Sequence, residues 1–491
     1  MTLSIAFDNS YARLPDRFFA RVKPSSAVEP RLIALNRPLA ETLGLDADAL
    51  GTPEGVAALA GQRLPEGSDP IATAYAGHQF GGFTPQLGDG RAVLLGEVIG
   101  RDGLRRDIQI KGSGLTPFSR GGDGLAALGP VLREYLVSEA MAALGIPTTR
   151  ALAALATGDT VFRETAMPGA ALVRVATSHI RVGTFQFFAS RRDTDGVRTL
   201  ADHAIARHDP EAARAAQPYR AFLAGVVARQ AALVARWMQV GFVHGVMNTD
   251  NMSVSGETID FGPCAFMDAY DPETVFSSID RGGRYAYGNQ PGIAQWNLAR
   301  LTECLLPLLG DTEDDGLEHG REILAGFAPA FHAAHLAGFR QKLGLLAPGD
   351  GDAALLQDLL DRMAAGKADF TLTFRRLAGA AADAGEDGAV RDLFIDPTLF
   401  DDWAVRWRAR LAEEPATGAE RRAAMLAVSP AVIPRNHRVE EAIAAAITGD
   451  FGPFARLGAA LAHPYEDRPE AAPYAEPPAF DTSGYRTFCG T

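Results

Sequence analysis

The residues best suited to chemistry lie in two short segments of the second half of the chain. Residues 242–251 read FVHGVMNTDN, and residues 258–262 read TIDFG. Together they supply a side-chain amide at Asn251 and carboxylates at Asp250 and Asp260. Hard divalent cations prefer oxygen ligands, and transfer of phosphoryl or nucleotidyl groups needs such a cation against the phosphate oxygens. The two segments therefore predict a metal-assisted, nucleotide-using site with Asn251 and Asp260 as metal ligands.

The spacing of these residues follows the catalytic loop of protein kinases, in which an Asn lies seven residues after a His and Asp-Phe-Gly comes later. Here Asn251 lies seven residues after His244, and Asp260 begins the Asp-Phe-Gly. Either motif alone is a common turn, so the prediction depends on both occurring in this order. The kinase base position, two after the His, holds Val246, which cannot accept a proton. Asp250 is the substitute carboxylate.

Residues upstream of these segments are suited to holding phosphates. Gly88-Asp89-Gly90 lies between strand-like runs, where free backbone N–H groups approach phosphate, although such a sequence alone is more often a hairpin turn. Lys111 ends a strand-like segment and is a candidate phosphate contact paired with a helix carboxylate. Glu134 and Glu139 both lie on the predicted helix 130–144, and spacing does not choose between them.

Two arginines, Arg174 and Arg181, flank the Thr-Ser-His at 177–179. The guanidinium group offers a fixed fork of donors that matches phosphate oxygens. The alternative for two such arginines is solvation or ion pairing with carboxylates. A glycine-rich stretch, 112–124, precedes the predicted helix 130–144.

Composition narrows the class of protein. The chain has 491 residues with a formal net charge of -13, which disfavours a nucleic-acid partner. Its sequence shows neither the ~20 consecutive apolar residues of a membrane span nor the pattern of a targeting peptide, so no membrane partner and a cytoplasmic location are expected. Three cysteines are too few for a disulfide framework. A monomer is favoured, although the sequence does not identify the oligomeric state.

The order of elements predicts an α+β fold with a protein-kinase-like, two-lobed core. Strand-like runs dominate the first part, and helical periodicity dominates from about residue 212, interrupted at 242–262. The first lobe is predicted to contain an antiparallel sheet, and the second lobe to be mainly helical. The predicted units are an N-terminal extension packed on the core (1–70), a nucleotide-binding N-lobe (71–210), a helical C-lobe with the catalytic loops (211–462) and a loosely packed tail (463–491).

Longer motifs along the chain resemble the selenoprotein O family, the YdiU-type protein adenylyltransferases. The resemblance covers nearly the whole chain. The motifs that carry it are YAGHQFG (75–81), QLGDGR (86–91), QIKGSG (109–114), FSR (118–120), TSHIRVGTFQ (177–186), HGVMNTDN (244–251), NQP (289–291) and the terminal CGT (489–491).

The resemblance implies a pseudokinase that binds ATP in an orientation reversed from that in kinases and transfers AMP to hydroxyl side chains of acceptor proteins. It implies Asp250 as proton acceptor, Mg²⁺ on Asn251 and Asp260, and UMP transfer in the presence of Mn²⁺. It also pairs Lys111 with Glu134 and places the terminal phosphate on Arg174 and Arg181. The further nucleotide contacts that it implies are Gly88, Gly90, Arg91, Lys111, Asp123 and Gly124.

The resemblance also raises a redox hypothesis. Cys489 occupies the position where animal relatives carry selenocysteine, and some bacterial relatives link this cysteine to one near the active site. The segment after Tyr270 has no cysteine, which leaves Cys264 as the candidate partner.

Two other functions remain open from the sequence. A small-molecule phosphotransferase of the aminoglycoside or choline kinase type has a similar His-Gly loop but keeps the Asp that Val246 replaces here. A non-catalytic, ATP-binding scaffold has less need of the metal ligands Asn251 and Asp260.

Overall fold

An antiparallel sheet and a set of helices make up the chain, and the α+β class predicted from the sequence is confirmed. The computed structural model describes residues 5–25, 27–479 and 484–487. The strands within this part are β1 (Phe19–Arg21), β2 (Arg31–Leu35), β3 (Ile71–Thr73), β4 (Gly77–Gln79), β5 (Gly82–Thr84), β6 (Ala92–Ile99), β7 (Arg105–Lys111), β8 (Ala126–Ala127), β9 (Arg150–Phe162), β10 (Ala166–Ala176), β11 (Phe242–Val243) and β12 (Ala265–Phe266).

The main sheet has the order β1-β3-β6-β7-β10-β9-β2, with β8 paired to β10. All of its pairs are antiparallel. The pairs β4–β5 and β11–β12 form two separate small sheets. Strands β6 and β7 lie in the middle of the main sheet and are buried over most of their length, and β6 is mainly apolar, as a central strand should be.

Helices dominate the second half of the chain. They are α1 (Arg37–Thr42), α2 (Ala47–Leu50), α3 (Pro53–Leu59), α4 (Leu128–Ala143), α5 (Val182–Ala189), α6 (Thr194–His208), α7 (Pro218–Gln239), α8 (Gln290–Leu309), α9 (Glu313–Ala325), α10 (Phe327–Lys342), α11 (Asp352–Ala365), α12 (Phe370–Ala382), α13 (Asp387–Arg391), α14 (Thr398–Leu411), α15 (Gly418–Leu426), α16 (Asn436–Ile447), α17 (Gly452–Leu461) and α18 (Ala472–Ala475).

Helix α7 is the central helix of the helical region, where it packs against α8 and α10. It is long and apolar enough to cross a membrane by composition, yet 61% of its most apolar window is buried inside the protein. The helix therefore contributes to the core of the fold. Helix α4 packs across β9 and β10 and also against α16 and α17, so it joins the sheet to the helical region.

Several predicted elements differ from the structure. The sequence predicts only short helices and joints in residues 1–70, but β1 and β2 pair with β3 and β9 in the main sheet. The predicted strand-rich part 71–210 also contains two helices, α5 and α6. The sequence also predicts a strand over 160–165, and this prediction is wrong in extent, because β9 ends at Phe162 and the chain turns there into β10. Pairings between distant segments leave little local sequence signal, which explains these differences.

One buried lysine makes stability depend on pH. Lys342 in α10 is 3% exposed, and its ammonium lies 5.5 Å from the ring centre of Phe374. Burial, with a smaller effect of Arg375, lowers the pKa of Lys342 from 10.5 to about 7. The unfolded chain therefore binds more protons between these two pH values, and this residue's contribution to stability rises with pH across that window.

We expect Lys342→Met to raise the free energy of unfolding at pH 7 by roughly 1 to 3 kcal/mol, because an apolar side chain replaces a buried ammonium. Urea unfolding at pH 7 and pH 9 measures this, and the gain should be smaller at pH 9. Lys23→Met, at an exposed lysine, is the matched control. An equal gain at both pH values would contradict the prediction.

Candidate active site

The carboxylate of Asp260 is held by three cations that come from different elements. Lys111 Nζ, at the end of β7, lies 2.7 Å from Asp260 Oδ1. Arg174 Nη1, on β10, lies 2.7 Å from the same oxygen, and Arg181 Nη1, just before α5, lies 2.9 Å from Oδ2. We call these four residues the Asp260 cluster.

Two features of Asp260 are unusual, namely the pKa of its carboxyl and the conformation of its backbone. Burial alone would raise the pKa of the Asp260 carboxyl, but Lys111, Arg174 and Arg181 hold it well below its usual range. Asp260 also has a left-handed backbone, with φ of 64°. Non-glycine residues in this conformation store strain and concentrate at functional sites.

The register of the sheet places Lys111 and Arg174 on one face. In the β7–β10 pair, Gln109 lies opposite Arg174 and Lys111 lies opposite Leu172. Because side chains alternate along a strand, Gln109 and Lys111 share a face. Gln109 Oε1 accepts hydrogen bonds from Arg174 Nη2 (2.6 Å) and Nε (3.2 Å), which fixes the guanidinium toward Asp260.

The structure resolves the choice between the two glutamates of α4. Lys111 Nζ lies 2.6 Å from Glu134 Oε2, and Arg174 Nη1 lies 3.3 Å from Glu134 Oε1. Glu139 instead binds Arg150, at 2.7 Å, and accepts a hydrogen bond from the side chain of Asn36. Glu134 is therefore the helix carboxylate that contacts the Asp260 cluster, and Glu139 fastens α4 to β9.

Asp250 lies beside the cluster in the 3₁₀ turn Thr249–Asn251. Its backbone carbonyl accepts a 2.7 Å hydrogen bond from Arg181 Nη1, the same nitrogen that contacts Asp260. Its Oδ2 accepts a hydrogen bond from Gln79 Nε2 (3.1 Å), and its Oδ1 is buried without a partner among the described residues. Burial raises the pKa of Asp250 to about 6. One oxygen of the Asp250 carboxylate is thus left without a hydrogen bond within the described residues.

The loop that carries Asn251 is fastened by residues of the His-Gly motif. Asn251 Nδ2 donates to the carbonyl of Val246 (3.0 Å), which leaves the amide oxygen available as an acceptor. His244 is fully buried, and its Nε2 lies 2.9 Å from the carbonyl of Ile259, next to Asp260. His244 therefore connects the segments 242–251 and 258–262. No group of three His, Cys, Asp or Glu side chains in the described ranges is arranged to hold a metal, so the candidate metal site depends on an amide.

The segment with Gly88 and Gly90 is a loop before β6 and is not a hairpin turn. Asp89 N–H donates to the carbonyl of Thr73, so the loop runs alongside the end of β3. Gly88 has φ of 85°, and a Cβ there would lie 2.4 Å from the Phe118 ring. A Cβ at Gly90 would lie 2.7 Å from the Phe118 carbonyl oxygen. Both positions need glycine because the loop packs closely against the glycine-rich stretch.

A small cleft lies beside Lys111 and Glu134. Its other lining residues include Arg91 and Gly262, which follow the glycine loop and Asp260 respectively. The cleft is thus lined by residues from four of the segments described in the sequence analysis.

Proteins of one known family match this chain over nearly its whole length. A family model described as protein adenylyltransferase SelO matches residues 1–462. The chain belongs to the SelO family. It is 66% identical to a protein nucleotidyltransferase YdiU of Methylorubrum extorquens and 66% identical to one of Rhodopseudomonas palustris, in both cases over 100% of each chain. A third, from Bradyrhizobium diazoefficiens, is 65% identical over the same share.

Two of the nucleotide contacts that the family resemblance predicts, Asp123 and Gly124, lie in the glycine-rich stretch 112–124. Asp123 does not contact the Asp260 cluster; its carboxylate pairs with Arg163 at 2.8 Å. Gly124 has φ of 71°, and a Cβ there would lie 2.0 Å from the carbonyl oxygen of Gly114. A glycine is therefore required at position 124, where the loop that carries Asp123 packs against the backbone of Gly114.

Sequence reasoning assigned no role to three residues of the site. Gln79 and Gln109 orient Asp250 and Arg174, as described above. Asp89 Oδ2 accepts hydrogen bonds from the backbone and hydroxyl of Thr73, and its Oδ1 lies 4.0 Å from Arg181. All three lie inside the motifs that resemble the SelO family. That resemblance is the signal by which the sequence could have indicated a role for them.

The proposed cysteine pair remains a hypothesis. Cys489 lies outside the described residues, and Cys264 is fully buried two residues after Gly262. Thr487, the last described residue, donates a 2.6 Å hydrogen bond to the carbonyl of Pro263. The described end of the tail therefore reaches the neighbourhood of Cys264.

Proposed function

We propose that this chain transfers AMP from ATP to hydroxyl side chains of acceptor proteins and releases pyrophosphate. The observation that carries the proposal is the contact of one Arg181 nitrogen with both the Asp250 backbone and the Asp260 carboxylate. This contact joins the Asp260 cluster, which we propose binds phosphate, to the Asp250 carboxylate, whose Oδ1 has no hydrogen bond within the described residues. Membership of a family described as protein adenylyltransferases supports the same activity.

The fold that we propose is a protein-kinase-like, two-lobed pseudokinase. The sheet with α4 corresponds to the N-lobe, and the helical region from α7 onward corresponds to the C-lobe. The presence of Val246 at the kinase base position supports a reaction other than phosphoryl transfer with the usual base. The units 1–70, 71–210, 211–462 and 463–491 belong to this proposal.

The cations of the Asp260 cluster are the proposed phosphate ligands. Lys111, Arg174 and Arg181 carry three positive charges, which face the carboxylates of Asp260, Glu134 and Asp89. A planar guanidinium can bind two phosphate oxygens. Arg174 and Arg181 would hold the terminal phosphate, which leaves the α-phosphate facing Asp250. Gly88, Gly90, Arg91, Asp123 and Gly124 would contact the rest of ATP.

Asn251 and Asp260 suit Mg²⁺ or Mn²⁺ as oxygen ligands. The Asn251 amide nitrogen is held by Val246, so its oxygen is the free acceptor, and Asp260 stays ionised because of its cations. When bound, the metal would supply positive charge to the phosphate oxygens. We propose that these two residues hold it and that UMP transfer with Mn²⁺ uses the same site.

Asp250 acts as the proton acceptor in this proposal. The acceptor hydroxyl oxygen forms a bond to the α-phosphorus, its proton passes to Asp250 Oδ1, and the bond between the α-phosphorus and the bridging oxygen breaks to release pyrophosphate. Oδ1 has no competing hydrogen bond within the described chain, and a pKa of about 6 leaves the carboxyl largely ionised at neutral pH. A base with a pKa near the working pH is the most effective.

ATP labelled at the α or γ position, incubated with Mg²⁺ and the protein, tests the reaction. We expect protein-bound label from the α position only, with release of pyrophosphate. Label retained from the γ position would show a phosphotransferase. Nucleotide binding without transfer of either label to protein or metabolites would show a scaffold.

We further propose that the acceptors are cytoplasmic proteins, that neither nucleic acid nor a membrane is a partner, and that the chain acts as a monomer. The net charge of -13 supports the exclusion of nucleic acid. Sedimentation analysis tests the monomer.

A further inference from the structure

The hairpin β4–β5 lies directly over Asp250. Besides the Gln79 contact, a Cβ at Gly77 would lie 2.7 Å from Asp250 Oδ1, so the strand touches the carboxylate. Farther along the hairpin, the backbone N–H of Phe80 donates to Asn248 Oδ1 (3.1 Å) and to the Tyr285 hydroxyl (3.2 Å). The hairpin is thus fastened to the catalytic loop and occupies a fixed position beside the base.

An arginine–aromatic platform lies against this hairpin. The guanidinium carbon of Arg284 lies 4.8 Å from the ring centre of Trp296, and that of Arg300 lies 5.0 Å from it. The His78 ring lies 5.2 Å from Trp296 and 4.9 Å from Phe83, which is 41% exposed. We use the name platform for these five residues.

Within the described residues, Arg284 is the arginine of the platform that lacks a carboxylate partner. Arg300 pairs with Glu303 at 2.6 Å, whereas Arg284 has no carboxylate partner in the described part of the chain. The Nε atoms of Arg284 and Arg300 are both buried without a hydrogen-bond partner there, so the missing carboxylate is what distinguishes Arg284. In a protein with a net charge of -13, a stacked arginine without a carboxylate favours an external anionic group.

The platform lies on the side of Asp250 away from the phosphate-binding cations. Arg181 joins Asp250 to the Asp260 cluster, and Gln79 joins Asp250 to the hairpin. A Cβ at Gly81, at the hairpin tip, would lie 3.7 Å from the Arg284 guanidinium. The contacts therefore run from the Asp260 cluster through Asp250 and the hairpin to the platform, so the platform lies at the other end of this chain of contacts from the proposed phosphate ligands.

We propose that the platform binds an acidic side chain of the acceptor protein, close in sequence to the modified hydroxyl. This inference rests on the proposed AMP transfer and names its substrate class. Gly77 and Gly81 are four positions apart, in strand β4 and the turn that follows it, so the distance between them is at most about 13 Å. An extended acceptor segment covers the same span, so the acidic residue lies three or four positions from the acceptor Ser, Thr or Tyr.

Three synthetic peptides with one Tyr acceptor test the proposal. They carry Glu, Gln or Lys at positions three and four residues on both sides of the Tyr. Transfer of α-labelled AMP gives kcat/KM, and fluorescence anisotropy of the labelled peptides gives affinity. The wild type should prefer the Glu peptide over the Lys peptide by about tenfold, and the preference should shrink at high salt.

Arg284→Glu should abolish or invert this preference, and Arg284→Lys should keep part of it. A reversal of charge preference separates binding from loss of structure, which would weaken all three peptides alike. Arg101→Glu makes the same charge change on an exposed residue between β6 and β7, at the end of those strands opposite Lys111. That control variant should keep the wild-type preference.

The outcomes separate this inference from the proposed function. If α-label is transferred but Arg284→Glu keeps the preference for Glu, the platform proposal is overturned and AMP transfer stands. A rise in the KM for Mg-ATP without a change in peptide preference also overturns it, because the arginine would then serve the nucleotide. If the Glu peptide binds through Arg284 but α-label reaches no acceptor, the platform is supported as a binding surface and the proposed AMP transfer is wrong.

Discussion

Asp250→Asn is expected to lower kcat for AMP transfer by about 10² to 10⁴-fold, the range attributed to a general base. The amide has nearly the same shape and keeps an oxygen for the Gln79 hydrogen bond, but it cannot take a proton. Single-turnover transfer from α-labelled ATP measures the effect on chemistry. The affinity for Mg-ATP, measured by calorimetry, should change little because the Asp260 cluster is intact.

The same variant should be at least as stable as the wild type. Asp250 is 7% exposed, and its Oδ1 has no partner in the described part of the protein. A buried carboxylate oxygen without a hydrogen bond is costly, so its removal should not lower the thermal midpoint. Asp271→Asn, at an exposed carboxylate in a nearby loop, is the control and should keep wild-type kcat. Wild-type transfer by Asp250→Asn would place the proton acceptor elsewhere.

Local signals predict the elements that frame the site. The sequence predicts the helix α4 over 130–144, and it spans Leu128–Ala143, with Gly145 at φ of 71° just after its end. Strands β6 and β7 likewise lie near their predicted positions, because alternation and the turn residues around them are local features. The strands β1 and β2 are not predicted, since three to five residues become a strand only through pairing partners far along the chain.

The sequence predicts which chemical groups the site contains, but it does not predict how these groups are arranged in space. Spacing alone suggests Asn251 and Asp260 as ligands and Asp250 as the substitute base. It does not show that Arg174 and Arg181 contact Asp260 directly, because that contact depends on the β7–β10 register and on the left-handed backbone at residue 260. Both arrangements follow from tertiary structure.

The uncharged positioning residues are the hardest to predict. Gln79 and Gln109 each orient a charged group through one or two hydrogen bonds. A glutamine in a sequence carries no sign of such a partner, since the partner is distant in the chain. Only the family motifs mark the segments that contain them.

Asp260→Asn is expected to abolish transfer with Mg²⁺ and also to destabilise the protein without nucleotide. The substitution removes a proposed metal ligand and the shared partner of Lys111, Arg174 and Arg181. Breaking buried ion pairs leaves uncompensated charge, so we expect the free energy of unfolding to fall by roughly 2 to 4 kcal/mol. Urea unfolding without nucleotide measures the loss, and transfer of α-label should fall at least about a thousandfold.

Nucleotide without metal should then restore more stability in this variant than in the wild type. In the wild type, the triphosphate competes with the Asp260 carboxylate for the three cations, whereas in the variant it meets cations that lack that partner. Metal-free ATP should therefore raise the thermal midpoint of Asp260→Asn more than that of the wild type. Asp48→Asn, whose carboxylate pairs with Arg37 at the surface, should show no such excess. A variant that stays as stable as the wild type and gains nothing extra from ATP would show that Asp260 is not the counter-charge for these cations.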